Sequence, residues 1–211
     1  MSWLAQTMAD NIKIKKGSIC TMTKEDYMNH FIQNPKYSSP WVEIAATVIT
    51  EFPEQVDEEF CAKYNNDQLR VIYDMLKYNA TATEHTIDLD IYARPEFNDT
   101  QMHLFLSAFQ QAQGDFEEML QKIADPKYTY EKINYIVVGL IDGLDLSDHI
   151  DDFNGQQLAA IYSGFKDGID ITKYDDCRIS ADMMNIMRCC MIWGHDISYD
   201  LETNTLTVTK K

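Results

Sequence analysis

The sequence predicts a mainly α-helical fold: tandem helical-hairpin repeats stacked as a short α-solenoid, with a small β element at the termini. Three observations predict it. One motif recurs in a fixed register, each copy opens on the same helix-start chemistry, and apolar residues behind that start follow helical spacing. The recurrence is plainest between Tyr128–Ser147 and Phe153–Thr172, which align without a gap at a shift of 25 residues. Gly139 falls on Gly164, Gly143 on Gly168, Asp145 on Asp170, and the apolar positions coincide.

Taken in chain order, residues 1–36 form an N-terminal segment. Asn11 to Met22 alternates apolar and polar residues around a Lys-Gly-Ser turn, which predicts a β-hairpin, and a first helix follows. Residues 37–199 form the repeat array. Its copies start at Tyr64, Phe97, Tyr128, Phe153 and Ile179, with a fainter one at Tyr37, and the clear copies are 33, 31, 25 and 26 residues apart.

In Asn65-x-x-Gln68, Asn98-x-x-Gln101 and Asn154-x-x-Gln157, the Asn accepts from a first-turn N–H while the Gln accepts from the cap's own N–H, a reciprocal capping box. The residue before each cap then lies over the fourth helical residue. This predicts apolar staples Tyr64 with Leu69, Phe97 with Met102, Tyr128 with Ile133, Phe153 with Leu158 and Ile179 with Met184.

Within the helices, Leu69, Ile72, Tyr73 and Leu76 make one buried stripe, as do Met102, Phe105, Leu106 and Phe109. The next two stripes are Ile133, Ile136, Val137 and Leu140, then Leu158, Ile161, Tyr162 and Phe165. Ala108, Gly139 and Gly164 precede the last stripe residue and are expected to let neighbouring helices approach closely. Gly143, Gly168 and Gly194 are expected to stop their helices in the left-handed conformation.

A second, short helix is predicted after each stop, from the pairs Leu89 with Tyr92, Leu120 with Ile123, Leu146 with Ile150 and Ile171 with Tyr174. Asp145, Asp170 and Asp196 are placed to cap it. Residues 200–211 form a tail or strand, because Thr203 to Thr209 is rich in β-branched residues; a small sheet pairing the two termini is the expectation.

The repeat unit, an aromatic, three intervening residues and Gln, then Met or Leu, Ile, two glycines, Asp and Ser or Thr, resembles a short helical repeat of uncharacterised proteins from bacterial mobile elements and phages. The resemblance covers roughly residues 37–199 and is best in the copies at Tyr128 and Phe153, whereas those at Tyr64 and Phe97 lack the Gly-x-Asp end. It implies no chemistry. It does imply a mobile-element setting, in which small acidic proteins resemble inhibitors of host defence.

Charge narrows the function. With 34 acidic and 18 basic residues the net charge is -16, a surface that repels nucleic acid and anionic membranes and is steered toward basic proteins. Residues 1–24 hold four lysines against one acid, net +3, which leaves -19 on residues 25–211. Five cysteines, two of them adjacent at Cys189 and Cys190, argue against a disulfide framework. No signal peptide or membrane span is read, so a cytoplasmic location is expected.

The five histidines fall at unrelated repeat positions, no nucleophile motif accompanies them, and the glycines serve packing and helix termination instead of a phosphate loop. Neither catalysis, a cofactor nor a metal is expected. Cys177, Cys189 and Cys190 read as buried thiols, and Met183, Met184, Met187 and Met191 as a core stripe in the last copy.

The acids left without a capping role form the candidate partner-binding surface: Glu117, Glu118, Asp142, Asp148, Asp151, Asp152, Asp167, Asp175 and Asp176. Repetition makes Asp142 equivalent to Asp167 and Asp151 to Asp176. Such ladders, on helices ~8–10 Å apart, can occupy every second or third phosphate position of a nucleic-acid strand. Two functions follow. The first is an inhibitor whose acidic face blocks the nucleic-acid site of a host defence protein, such as a CRISPR effector or restriction enzyme. The second is a non-mimetic scaffold that contacts an ordinary protein through aromatics such as Tyr78, Tyr130 and Tyr135.

Overall fold

A computed structural model describes residues 22–210 of the chain. Ten α-helices and a two-stranded antiparallel sheet are present among them, so the fold is mainly helical. The hairpin expected at Asn11–Met22 lies outside the described residues, except for Met22 itself. Two compact units are resolved by their internal contacts, one ending at Leu69 and one beginning at Arg70.

The first unit contains α1 (Lys24–Ile32), α2 (Ser39–Glu51), α3 (Glu58–Cys61) and the first turn of α4 (Asn66–Thr81). Thr23 caps α1 in a box with Asp26. Helix α1 packs on α2 through Phe31, which is fully buried. Its ring meets Trp41 edge-on at 5.3 Å and Tyr37 at 5.9 Å, while Tyr37 stacks on Trp41 at 3.8 Å. Aromatic packing of this geometry adds ~0.5–1.5 kcal/mol per pair beyond the area it buries.

In the second unit α4 continues and is followed by α5 (Leu89–Tyr92), α6 (Asp99–Gln111), α7 (Glu117–Ile123), α8 (Tyr130–Ile141), α9 (Gly155–Lys166) and α10 (Ala181–Ile192). The long helices pack in chain order, α6 on α8, α8 on α9 and α9 on α10. The short segments make a second set of contacts, α7 against the 3-10 turn Ser147–His149, and α9 against the 3-10 turn Ile171–Lys173.

The predicted helix starts are where the sequence placed them. Asn98 and Asn154 form full capping boxes with Gln101 and Gln157. Asn65 and Gln68 exchange the same two bonds at 2.9 Å each. Ser38, Thr129 and Ser180 cap through their hydroxyls. Both residues of all five staples are buried. At the other end, Gly143, Gly168 and Gly194 have φ of 82°, 70° and 77°. The Leu144 N–H bonds the Gly139 carbonyl at 2.8 Å and the Gly143 N–H bonds Leu140, the paired bonds that close a helix C-terminus on a left-handed residue.

Several expectations need correction. The second segment is helical only at Leu89–Tyr92 and Glu117–Ile123; in the two shorter copies it tightens to a 3-10 turn, because fewer residues remain before the next cap. Gly139 and Gly164 do not serve neighbouring long helices. A Cβ on Gly139 would meet the Leu144 carbonyl oxygen at 2.9 Å, and one on Gly164 would meet Tyr174 and Ile171, so each glycine admits the short segment of its own copy.

Phe165, assigned to a stripe, is 37% exposed, while Tyr73 and Tyr162 are half-buried. Met75 is fully buried and was left out of its stripe. Asp196 caps no helix: after Gly194 the chain enters β1 (His195–Asp200), which the reading had kept within the array. That strand pairs with β2 (Thr205–Lys210) in register His195 with Lys210 through Asp200 with Thr205, and it packs on α10. The predicted C-terminal strand therefore has a neighbouring strand as its partner. Among the described residues, no helix is long and apolar enough to cross a membrane.

Candidate functional site

The third helical residue of each copy has a role beyond capping. Gln101 accepts from the Asn98 N–H through Oε1, and its Nε2 donates to the Tyr128 carbonyl at 3.0 Å, the residue that opens the next copy. Gln157 does the same, with Nε2 donating to the Ile179 carbonyl at 2.7 Å and to that of Cys177 at 2.8 Å. Where the copy lacks Gln, another donor stands in. Trp41 Nε1 donates to the carbonyl of Tyr64, which opens the next copy, at 2.9 Å, whereas Lys132 Nζ donates at 2.7 Å to the Ile150 carbonyl within its own copy. The last copy carries Met183 here, a side chain with no N–H. The strands that follow α10 take the place of a further helix.

The predicted acidic surface is largely committed to bonds of the same kind. Asp142 accepts from Tyr162 Oη at 2.6 Å and pairs with Lys166 at 2.9 Å, both on α9. Its repeat equivalent Asp167 pairs with Arg188 on α10. Asp148 pairs with Lys122 at 2.8 Å. Asp151 accepts from Tyr128 Oη at 2.7 Å and lies 3.5 Å from Lys127. Asp175 meets His149 at 2.9 Å, and Glu117 meets His85 at 2.8 Å. Asp176 is held within its own turn by Arg178.

Glu118 and Asp152 alone of the nine have no ion pair among the described residues. The two equivalences therefore differ in kind. Asp142 and Asp167 form a true ladder from one long helix to the next, whereas Asp151 and Asp176 point to different partners.

These bonds register in the acidities. The Lys166 ammonium and the Tyr162 hydroxyl lower the Asp142 pKa. Lys122 lowers that of Asp148, and the Tyr128 hydroxyl that of Asp151. Arg178 brings Asp176 to about 2. Burial, with Asp57 and Glu58 nearby, pushes the Cys61 thiol up to about 12. Cys177 is exposed, and Cys189 and Cys190 are half-buried, so the expectation of buried thiols fails at these three. Met184 and Met187 are fully buried, whereas Met183 and Met191 are half-buried.

The aromatic candidates divide. Tyr78 donates to the Phe109 carbonyl at 2.8 Å and is a packing residue. Tyr130 is 39% exposed. Tyr135 is half-buried and lines an open groove of about 570 Å³ across α8, α9 and α10. The rest of its lining is Glu131, Asn154, Gly155, Gln156, Ala159, Ala181, Asp182 and Asn185.

The groove is itself built by repetition. Glu131, Gln156 and Asp182 stand three residues after the start of their copies, Gly155 and Ala181 two after, and Ala159 and Asn185 six after. Gly155 lets α9 close on α8, since its Cβ would lie 2.6 Å from that of Glu131. Glu131 and Asp182 are exposed and have no ion pair among the described residues. The sequence shows the register equivalence of Glu131, Gln156 and Asp182 but not the open space above them, which arises from the packing of α8, α9 and α10.

No group of three or more His, Cys, Asp or Glu side chains among the described residues converges as metal ligands would. Comparison of the chain with family models, curated proteins and solved structures returns no match.

Proposed function

We propose that this chain is a protein-binding repeat protein without catalytic activity. In this reading the long helices α6, α8, α9 and α10 stack as a short α-solenoid and present one face to a basic protein partner. The observation that carries the reading is the groove across α8, α9 and α10, lined by equivalent positions of successive copies. Repetition of a surface along stacked helices is how such arrays build extended binding faces. The net charge of -16 favours encounter with a basic partner and speeds it at low salt.

The second reading is the mimetic inhibitor, a phage or mobile-element product that blocks the nucleic-acid site of a defence protein. The same net charge and the free carboxylates of Glu118 and Asp152 support it. Against it stands the commitment of Asp142, Asp148, Asp167 and Asp175 to bonds that tie one copy to another, and of Asp151 to Tyr128 in its own copy. A carboxylate already accepting from Lys, Arg or Tyr has less to offer a partner and must break a bond to give it.

Photo-crosslinking separates the two. A benzophenone amino acid replaces Gln156 in one variant and Asp152 in another, and each is irradiated in cell lysate before mass spectrometry. The groove reading expects one partner captured at Gln156, undiminished by added DNA. Capture at Asp152 that DNA or RNA competes away favours the inhibitor, and capture at neither position overturns both.

A further inference from the structure

The groove across α8, α9 and α10 has a geometry that selects its occupant. This inference rests on the groove being the binding face, and it names what lies there. Glu131 on α8 and Asp182 on α10 occupy the same helical position two helices apart, with Gln156 on α9 between them. Packed helices lie ~8–10 Å apart, so two successive packings separate the axes of α8 and α10 by about 16–20 Å, and a ligand that meets both carboxylates must span a length of that order.

Between them the surface is low and polar. Gly155, Ala159 and Ala181 supply little side chain, while Asn154, Gln156 and Asn185 supply amides. Asn185 Nδ2 already donates to the Ala181 carbonyl at 3.0 Å, which leaves its oxygen to accept. Tyr135 stands toward the C-terminal side of α8, its ring 6.3 Å from that of Tyr162, and closes one wall. Amides along a shallow floor suit peptide N–H and C=O groups. A carboxylate at each end suits a cation at each end.

An extended strand advances ~3.3 Å per residue and repeats its side-chain direction every second residue. A polyproline-type segment advances ~3.1 Å and repeats every third. Six residues satisfy both periodicities, and they span about 19–20 Å, inside that axial spacing. Five residues put the two side chains on opposite sides of a strand, and four fall short.

We propose that the groove binds an extended peptide segment of a partner protein carrying two basic side chains six residues apart. One meets Glu131 and the other Asp182, and the amides of Gln156, Asn154 and Asn185 hold the backbone between.

Fluorescence anisotropy with labelled decapeptides tests this. The peptides share a Gly-Ser host and two arginines, placed six apart in one and adjacent in the other. The six-apart peptide is expected to bind at least tenfold more tightly, and to lose that advantage in the variant Glu131→Gln, Asp182→Asn. Neither residue caps a helix or joins an ion pair, and circular dichroism confirms that the variant folds. Equal binding of the two peptides, or unchanged binding by the variant, overturns the proposal. Should that happen while Gln156 still cross-links a partner, the groove remains the binding face and only the peptide is wrong; loss of both results removes the binding reading as well.

Discussion

A methyl group built on Gly164 would lie 1.7 Å from the Tyr174 hydroxyl oxygen and 3.0 Å from Cγ2 of Ile171. Tyr174 cannot swing clear, because it is 1% exposed and ranks among the largest fully buried side chains. Its hydroxyl is buried and has no hydrogen-bond partner among the described residues, and burial pushes its pKa up to about 12. The hydroxyl therefore fills the space that a Cβ at position 164 would need. Gly164→Ala is expected to destabilise the protein by ~1–3 kcal/mol, the usual cost of forcing an extra carbon into a packed interior. Tyr174→Phe alone is expected to be neutral or slightly stabilising, since it removes a polar group without a partner. The double variant should recover part of the Gly164→Ala loss. Urea midpoints for the four proteins check this, and a double variant no better than Gly164→Ala would show that the ring, at 3.0 Å through Cζ, sets the cost by itself.

Gln157 shows why the capping residue at these starts is Gln when Glu also completes a capping box. Its oxygen accepts from the Asn154 N–H, while its nitrogen donates to the Ile179 and Cys177 carbonyls, and the residue is 5% exposed. Glutamate keeps the first bond and turns the donor into an acceptor facing two carbonyl oxygens. Gln157→Glu is expected to cost ~2–4 kcal/mol at neutral pH, the range for a buried charge or lost partner. Burial and those oxygens raise the folded pKa of the new carboxyl above its unfolded value. The deficit is therefore full above the folded pKa and shrinks as pH falls toward the unfolded one, once the protonated acid can donate again. Urea midpoints of Gln157→Glu and wild type should converge between neutral pH and about pH 5; a gap that does not change with pH refutes the donor role.

The cap itself was legible in the sequence, because a capping box is local and its residues lie three apart. The second bond was not, because Gln157 and Ile179 are separated by 22 residues and their meeting depends on how α9 packs on α10. The same limit explains the candidate surface. Asp142, Asp148 and Asp167 look free in a linear reading, yet each finds its base 21 to 26 residues away. The groove, built from Glu131, Gln156 and Asp182, was hidden for the converse reason, since the register equivalence was readable but the open space above it was not. The hairpin at β1 was missed because His195-Asp196-Ile197 continues the Gly-x-Asp pattern of the earlier copies, where the following segment turns inward as a 3-10 turn.

An acidic chain is pulled in two directions as pH falls. Net charge of -16 repels itself, and protonation relieves that repulsion in folded and unfolded chains alike. The ion pairs exist only when folded. Asp142, Asp148 and Asp151 all have pKa values lowered from 3.8, and Asp176 falls to about 2. A depressed folded pKa contributes stability that is present above the unfolded value and is lost as pH falls through the folded one. The loss therefore begins near the ordinary carboxylate pKa of about 4 and runs toward pH 2. Asp148 and Asp151 are exposed and Asp142 and Asp176 are partly so, so solvent screening keeps each contribution small, and the effect is read as a slope of stability against pH. The urea midpoint of the wild type is expected to hold between pH 7 and 5 and then fall steadily from pH 4 to pH 2. The triple variant Asp142→Asn, Asp148→Asn, Asp151→Asn starts lower at pH 7, because the amides pair less well with Lys166, Lys122 and Tyr128. Below pH 4 its midpoint should fall less steeply, so the two curves converge. Added salt at pH 7 should narrow the same gap, since exposed pairs are screened. Parallel acid limbs in wild type and variant would mean that these pairs are geometric accompaniments of helix packing, and that caps, staples and buried stripes alone hold the copies together.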